Sequence, residues 1–238
     1  MADRKSKKAE LISVIIPAYN EGKPIKQVIK DILQVAKSYP LEIIVVNDGS
    51  HDDTATVAKK AGAHKVITHR VNMGKGAAFR TGLKNAKGEY VVQIDADRQL
   101  YASEIPKLVT PLQNGFDVVL GARYSILSFI KPGSLSFLNM SGNLFLSFCA
   151  SIFSGKMIPD VMTGFKAFKK KVALDINPNA NHFGYEAELV VKAAKKNYRI
   201  KNILISTRKR ETGKSNLRIV KHGLLVLTTI INSSFGKE

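Results

Sequence analysis

An α/β fold with a mostly parallel central sheet is what this sequence predicts, on three observations. Short apolar runs rich in Val and Ile recur along the chain, longer segments with helical periodicity separate them, and each run ends at polar or glycine residues. Ligands of open α/β sheets usually sit at such carboxyl ends.

The elements follow in order. Leu11 to Pro17 reads as a buried strand, Pro24 to Lys37 as a helix with Ile25, Val28, Ile29, Ile32 and Leu33 on one face, and Glu42 to Asp48 as a second strand. The pattern continues with a helix over Asp53 to Ala61, a strand near Lys65 to Thr68, a helix over Lys75 to Asn85 and a strand from Glu89 to Asp95. A helix over Ser103 to Gln113 and a strand from Asp117 to Gly121 complete the regular half. Beyond it the spacing predicts helices over Leu135 to Phe153 and Tyr185 to Lys196, a strand from Ile200 to Ser206 and a final helix from Leu217 to Ile231. With no internal repeat or long linker, a loose basic tail (1 to 10) and a single domain (11 to 238) are expected. Within that domain we expect two functional halves (11 to 123 and 124 to 216) and an amphipathic C-terminal helix (217 to 238).

Composition narrows the partners. The 238 residues are 45% hydrophobic, enough to bury a substantial core. Cys149 is the single cysteine, so a disulfide framework and a cysteine zinc cluster are excluded and a reducing, cytoplasmic setting fits. The formal charge of +18 points to an anionic partner: nucleic acid, a membrane surface or a phosphorylated substrate. Residues 124 to 238 carry +12 of it, although a run such as Lys169, Lys170 and Lys171 reads first as a solvated basic face.

The chemistry-bearing residues cluster at predicted strand ends. The apolar strand before Asp95-Ala96-Asp97 would place both carboxylates on one side, because strand side chains alternate. Two adjacent carboxylates repel, and a divalent cation with oxygen ligands, Mg²⁺ or Mn²⁺, removes the conflict. An alternative is that one Asp caps the loop while the other is solvated. In Pro17-Ala18-Tyr19-Asn20-Glu21 an aromatic ring and an acid share the first strand's end, where the ring can stack on a base. Asn47-Asp48-Gly49-Ser50 offers a carboxylate to a base or ribose, or is simply a turn and helix cap. Asn72-Met73-Gly74-Lys75-Gly76 precedes a helix, where amide groups and Lys75 can answer a phosphate. It is neither a Walker A loop, since the one Gly-Lys-Ser (213 to 215) has Arg208 where Gly is required, nor a dinucleotide fingerprint, since Phe79 takes the third glycine position.

Together with Gly121-Ala122-Arg123 and Asp160-Val161-Met162-Thr163-Gly164-Phe165, this ordered set resembles family 2 glycosyltransferases of the GT-A fold, over roughly residues 11 to 220. Within the family it is most similar to the dolichol-phosphate or polyprenyl-phosphate sugar (mannose) synthases. The resemblance implies that Pro17, Tyr19, Glu21 and Asp48 hold the nucleotide, with Gly74, Lys75 and Ala96 completing that set. It implies that Asp95, Asp97 and Gln99 organise Mg²⁺ or Mn²⁺ on the diphosphate, and that Arg123 lies near the reacting phosphates. Arg208 and Arg210 are expected to close over those phosphates from the basic segment 208 to 215, which is also readable as a solvated loop.

The expected reaction moves a hexose, mannose or glucose, with inversion from a nucleotide-diphosphate sugar such as GDP-mannose or UDP-glucose to a dolichol or polyprenyl phosphate. A glycan hydroxyl is the alternative acceptor, for which Asp160 is the candidate base. Residues 132 to 155 carry no charge, and Phe137, Leu138, Leu144, Phe145, Phe148 and Ile152 gather opposite Ser136, Asn139, Asn143, Ser147 and Ser151. This reads as a helix lying in an interface, or as a core-facing helix, and places the chain on the cytoplasmic face of an anionic membrane. Only Lys131 stands where the resemblance leads one to expect arginines for the acceptor phosphate, and the absence of tryptophan argues against processive polysaccharide synthases. A nucleotidyltransferase would share the sheet and metal pair. A nucleic-acid binder has charge alone in its favour, so nucleic acid is not an expected partner.

Overall fold

The computed structural model describes residues 10–124, 137–209 and 219–236. Its first half alternates strands and helices: β1 (Ile12–Ala18), α1 (Gly22–Ala36), β2 (Leu41–Asn47), α2 (Thr54–Lys60), β3 (Lys65–Thr68), α3 (Lys75–Asn85), β4 (Tyr90–Gln93), α4 (Ile105–Gln113) and β5 (Val118–Ala122). The second half contributes α5 (Phe137–Ser154), β6 (Lys166–Lys169), α6 (Lys170–Ile176), α7 (Tyr185–Lys195), β7 (Ile200–Leu204) and α8 (Ile219–Phe235). The strands form one sheet in the order β3-β2-β1-β4-β6-β5-β7. Pairings β1/β2, β1/β4, β2/β3 and β5/β7 are parallel, while β6 runs antiparallel between β4 and β5.

Every residue of β1 is buried, as expected of a central strand covered on both faces. Alternation divides its side chains between two cores. Ile12, Val14 and Ile16 pack with α1, α2 and α4, whereas Ile15 packs with α3 and the helices of the second half. The mostly parallel sheet and flanking helices are those the sequence predicts.

The sequence pattern predicts neither β6 nor α6. Strand β6 has only four residues, Lys-Ala-Phe-Lys, and its lysines disguise a central strand. Lys166 is nevertheless fully buried. Nor is the Lys169–Lys171 run a simple solvated face, because Lys169 Nζ lies 2.8 Å from Asp117 Oδ1 and Lys170 Nζ donates to the Ala86 carbonyl at 2.6 Å. The strand carrying the Asp-x-Asp motif ends at Gln93, so Asp95 and Asp97 lie in the turn beyond it rather than on alternating strand positions.

Helix α5 packs with its polar side inward. Asn143 and Ser147 are buried, with Asn143 Nδ2 donating to Asp160 Oδ1 at 2.8 Å and Ser147 Oγ accepting from the Val161 amide at 3.0 Å. Phe145, Phe148 and Ile152 stand 57%, 62% and 60% exposed. The neighbouring α8 buries Val226 and Ile230 but exposes Leu224 and Phe235. Among the described residues no helix is long and apolar enough to cross a membrane.

Candidate functional site

The carboxyl ends of β1, β2 and β4 meet the start of α3 around a cavity of about 530 Å³. Its walls include Pro17, Tyr19, Glu21, Asp48, Gly74, Lys75, Asp95, Ala96 and Asp97, so residues far apart in sequence share one surface. Parallel pairing of β1 with β2 and β4 puts their ends on one edge, which is how distant motifs converge.

Asp48 is tied to the glycine loop. Its Oδ1 accepts from the Met73 amide at 2.9 Å and contacts His69 Nδ1 at 2.7 Å, while Oδ2 accepts from the Gly74 amide at 2.7 Å. Gly74 has φ +95°, and a Cβ there would meet the Asn181 carbonyl oxygen at 2.3 Å. Only glycine suits that backbone and that approach. The loop is thereby fixed at the N-terminus of α3, where Lys75 is the first helical residue.

Lys75 does not point at open solvent. Its Nζ lies 2.6 Å from Asp95 Oδ1 and 2.5 Å from Glu186 Oε1. Burial alone would raise the Asp95 pKa, but the nearby Lys75 charge, helped by Lys166 and Arg123, holds it below the ordinary carboxylate value. Burial works the other way on Lys75, and the carboxylates of Asp95 and Glu186 outweigh it to raise the lysine pKa. Asp95 Oδ1 receives no aligned hydrogen bond, so this buried oxygen is compensated by charge.

That donor set bears on a metal. Among the described residues no group of three or more His, Cys, Asp or Glu side chains is arranged to hold one. Two carboxylates in one cavity, one with a buried oxygen lacking a hydrogen bond, fit an ion that takes its remaining ligands from water and a substrate diphosphate. Gln99 is not among the cavity-lining residues; its amide donates to Asp97 Oδ1 at 3.1 Å, and its carbonyl accepts from the Arg208 amide at 2.9 Å.

Arg123 and the buried Asp160 form an ion pair, and neither is among the cavity-lining residues. Arg123 donates to the carboxylate from its backbone N at 3.1 Å, Nε at 2.7 Å and Nη2 at 2.8 Å. Burial opposes ionisation of Asp160, yet the Arg123 charge and these bonds bring its pKa below the ordinary value. A carboxylate so held, and 1% exposed, is a poor proton acceptor, which runs against its expected part as a base. Arg208, expected to close over the phosphates once substrate is bound, rests away from the cavity. Its guanidinium stacks 4.1 Å from the Tyr101 ring centroid and lies 3.6 Å from Asp31 Oδ2, outside the cavity wall. Arg210 lies outside the described residues.

Three neighbours escape sequence reasoning. Glu186, 3% exposed, joins Lys75 to Lys166, whose Nζ is 3.4 Å from Glu186 Oε2 and also donates to the Thr163 carbonyl. His182 and Phe183 line the cavity, and Phe183 packs on His222 of α8 with centroids 4.4 Å apart. No motif flags them, because their partners lie on other elements, Lys75 on α3, Lys166 on β6 and His222 on α8.

With this geometry established, comparison with known proteins adds kinship. The sequence profile of Glycosyl transferase family 2 matches residues 13–175. Glycosyltransferase AglJ of Haloferax volcanii is 30% identical over 83% of this chain, which spans 62% of that relative's length. A dolichyl-phosphate hexose transferase of the same organism is 30% identical over 84% of this chain and 83% of its own. Among solved structures, glucosyl-3-phosphoglycerate synthase of Mycobacterium tuberculosis, in complex with Mn²⁺, UDP and phosphoglyceric acid, superposes with a TM-score of 0.77 at 22% identity, covering 96% of this chain and 80% of that one. This likeness supports the fold.

Proposed function

Since the chain belongs to glycosyltransferase family 2, we propose that it transfers a hexose from a nucleotide-diphosphate sugar to a dolichol or polyprenyl phosphate, with inversion and with a divalent metal. The observation that carries the donor half is the shared cavity that joins Asp95 and Asp97 to the Tyr19, Asp48 and Gly74–Lys75 positions.

In this reading Pro17, Tyr19, Glu21 and Asp48 receive the nucleoside, and the α3 N-terminus with Lys75 receives phosphate oxygens. Asp95, Asp97 and Gln99 are the residues proposed to organise Mg²⁺ or Mn²⁺; Gln99 acts through the backbone that orients Asp97. When bound, such an ion supplies charge stabilisation to the departing diphosphate. The sugar's anomeric bond to that diphosphate breaks while a bond to an acceptor phosphate oxygen forms on the opposite face, and the nucleoside diphosphate leaves. Arg123 is held by Asp160 toward the reacting phosphates, with three of its five guanidinium N–H donors beyond the two spent on the carboxylate. Crystals of the mycobacterial synthase with Mn²⁺ and UDP give this fold a precedent for the donor arrangement.

Two observations support the lipid-phosphate acceptor over a glycan hydroxyl. An ionised phosphate needs no base, and Asp160, the candidate base, is sealed against Arg123. The exposed Phe145, Phe148 and Ile152 give α5 an apolar outer face suited to a membrane surface. Arg208 belongs to this proposal as a residue that reaches the phosphates only by leaving Tyr101 and Asp31, and Arg210 is proposed to act with it.

The test reads nucleoside diphosphate release from UDP-glucose and GDP-mannose, with Mg²⁺ or Mn²⁺ and a short polyprenyl phosphate in detergent. Asp97→Ala is expected to abolish transfer and metal-dependent nucleotide binding while remaining folded. Retained transfer by that variant contradicts the metal assignment, and a strict preference for soluble glycans overturns the acceptor.

A further inference from the structure

The Lys75 ammonium lies within ion-pair distance of a carboxylate that the proposed function assigns to a metal. It bridges Asp95 Oδ1 at 2.6 Å and Glu186 Oε1 at 2.5 Å, and Glu186 in turn faces Lys166 at 3.4 Å. Asp95 and Glu186 thus face Lys75 and Lys166, and Asp160 faces Arg123. A divalent ion entering at Asp95 would bring two positive charges beside an ammonium that already answers that carboxylate. A diphosphate arriving with it supplies the missing negative charge and offers Lys75 another partner.

We propose that Lys75 is an internal counter-cation for Asp95 that is exchanged for the donor diphosphate, so that divalent metal and nucleoside diphosphate bind cooperatively rather than independently. Lys75 is a positioning residue in this scheme. It holds the Asp95 carboxylate in place before substrate, and its transfer to the phosphates releases Asp95 Oδ1. Two features favour exchange over a permanent salt bridge. The ammonium sits on the first residue of a helix at the cavity wall, and its side chain and that of Asp95 are each 28% exposed. Linkage then requires each ligand to raise the affinity of the other by the same factor.

The inference rests on Asp95 and Asp97 being the metal ligands, and the experiment separates the two. Free Mn²⁺ is followed by electron paramagnetic resonance during titration of the wild-type protein, Lys75→Gln and Asp97→Ala, each without nucleotide and with saturating UDP or GDP, whichever the wild type binds. For the wild type, nucleotide is expected to tighten Mn²⁺ by roughly 10- to 100-fold, within the usual range of coupling. Lys75→Gln is expected to bind Mn²⁺ alone about tenfold or more tighter than the wild type and to lose most of the nucleotide effect. Because that variant leaves Glu186 less compensated, thermal melting checks its fold, and the charge-balanced Lys75→Gln/Glu186→Gln variant carries the same expectation if the single one is unfolded. Equal Mn²⁺ affinity with and without nucleotide in the wild type, unchanged in the Lys75 variants but lost in Asp97→Ala, overturns the counter-cation alone. Mn²⁺ binding that survives Asp97→Ala undoes the metal assignment and this inference with it.

Discussion

A Cβ placed on Gly164 would fall 2.0 Å from Asp95 Oδ2. The turn before β6 therefore closes against the carboxylate proposed to touch the metal, and no larger residue fits without moving it. Gly164→Ala meets a side-chain end rather than backbone, so the aspartate is expected to shift while the fold persists. We expect kcat/KM to fall by about 100-fold or more, as misplacing a reacting group by an ångström does, with thermal stability changed little. Steady-state transfer and a melting curve on the same sample check this, and a fully active variant would show that the Asp95 position is unimportant.

Asp48 couples the nucleotide wall to the phosphate loop, since its two oxygens hold the Met73 and Gly74 amides. Asp48→Ala strands those donors and is expected to cost about 1–3 kcal/mol of stability. The donor KM should rise, because the α3 N-terminus loses its fixed approach. Asp48→Asn keeps one acceptor and should fall between. Denaturant unfolding and donor titration read the two effects separately, and a stable Asp48→Ala protein with unaltered donor KM would contradict this account.

Asp160→Asn tests the buried pair with Arg123. Burial raises the Asp160 pKa, but Arg123 more than reverses this and leaves it lowered. A depressed folded-state pKa contributes stability that is fully present above the unfolded value, about 3.9, and is lost as the pH falls through the folded value. The variant should be less stable at pH 7 by about 3–5 kcal/mol, the usual penalty for leaving one buried partner uncompensated. That deficit should narrow only below about pH 4. Urea unfolding at pH 7, 4 and 3 measures it, and a constant difference over the series would refute the ion-pair explanation.

Local chemistry explains what was legible. Strands β1 and β2 are long uniform apolar runs, and the strand-end motifs they carry were visible because each packs its chemistry into a few adjacent residues. Strand β6 was hidden because its burial depends on pairing with both β4 and β5, and because a fully buried lysine is paired by Glu186 from a distant helix. Glu186 itself reads as an ordinary helix-start acid in α7. The Asp95–Asp97 geometry was reached by the wrong route, since a turn after Gln93, with Arg98 at φ +65°, carries Asp97 into the cavity wall. The expected role of Arg208 comes from the resemblance alone, whereas the ring of Tyr101 and the carboxylate of Asp31 decide where its guanidinium lies.

The outer face of α5 yields the last prediction. A helix on a water-exposed domain normally turns its large apolar residues inward, yet here Asn143 and Ser147 face the body and Phe148 and Ile152 face out. Changing both outward residues in Phe148→Ser/Ile152→Ser removes no core contact of comparable burial, so the melting temperature should hold within a few degrees. Insertion of each apolar side chain into a lipid interface is worth up to about 1.5–3 kcal/mol, and every 1.4 kcal/mol is tenfold in affinity. Binding to vesicles containing anionic lipid should therefore weaken by at least about tenfold in a sedimentation assay. Transfer to a short, detergent-dispersed polyprenyl phosphate should be less affected than transfer to the same phosphate in vesicles, because the first acceptor reaches the cavity without the helix docking on a bilayer. Equal vesicle binding by both proteins would mean that the apolar face of α5 does not meet lipid.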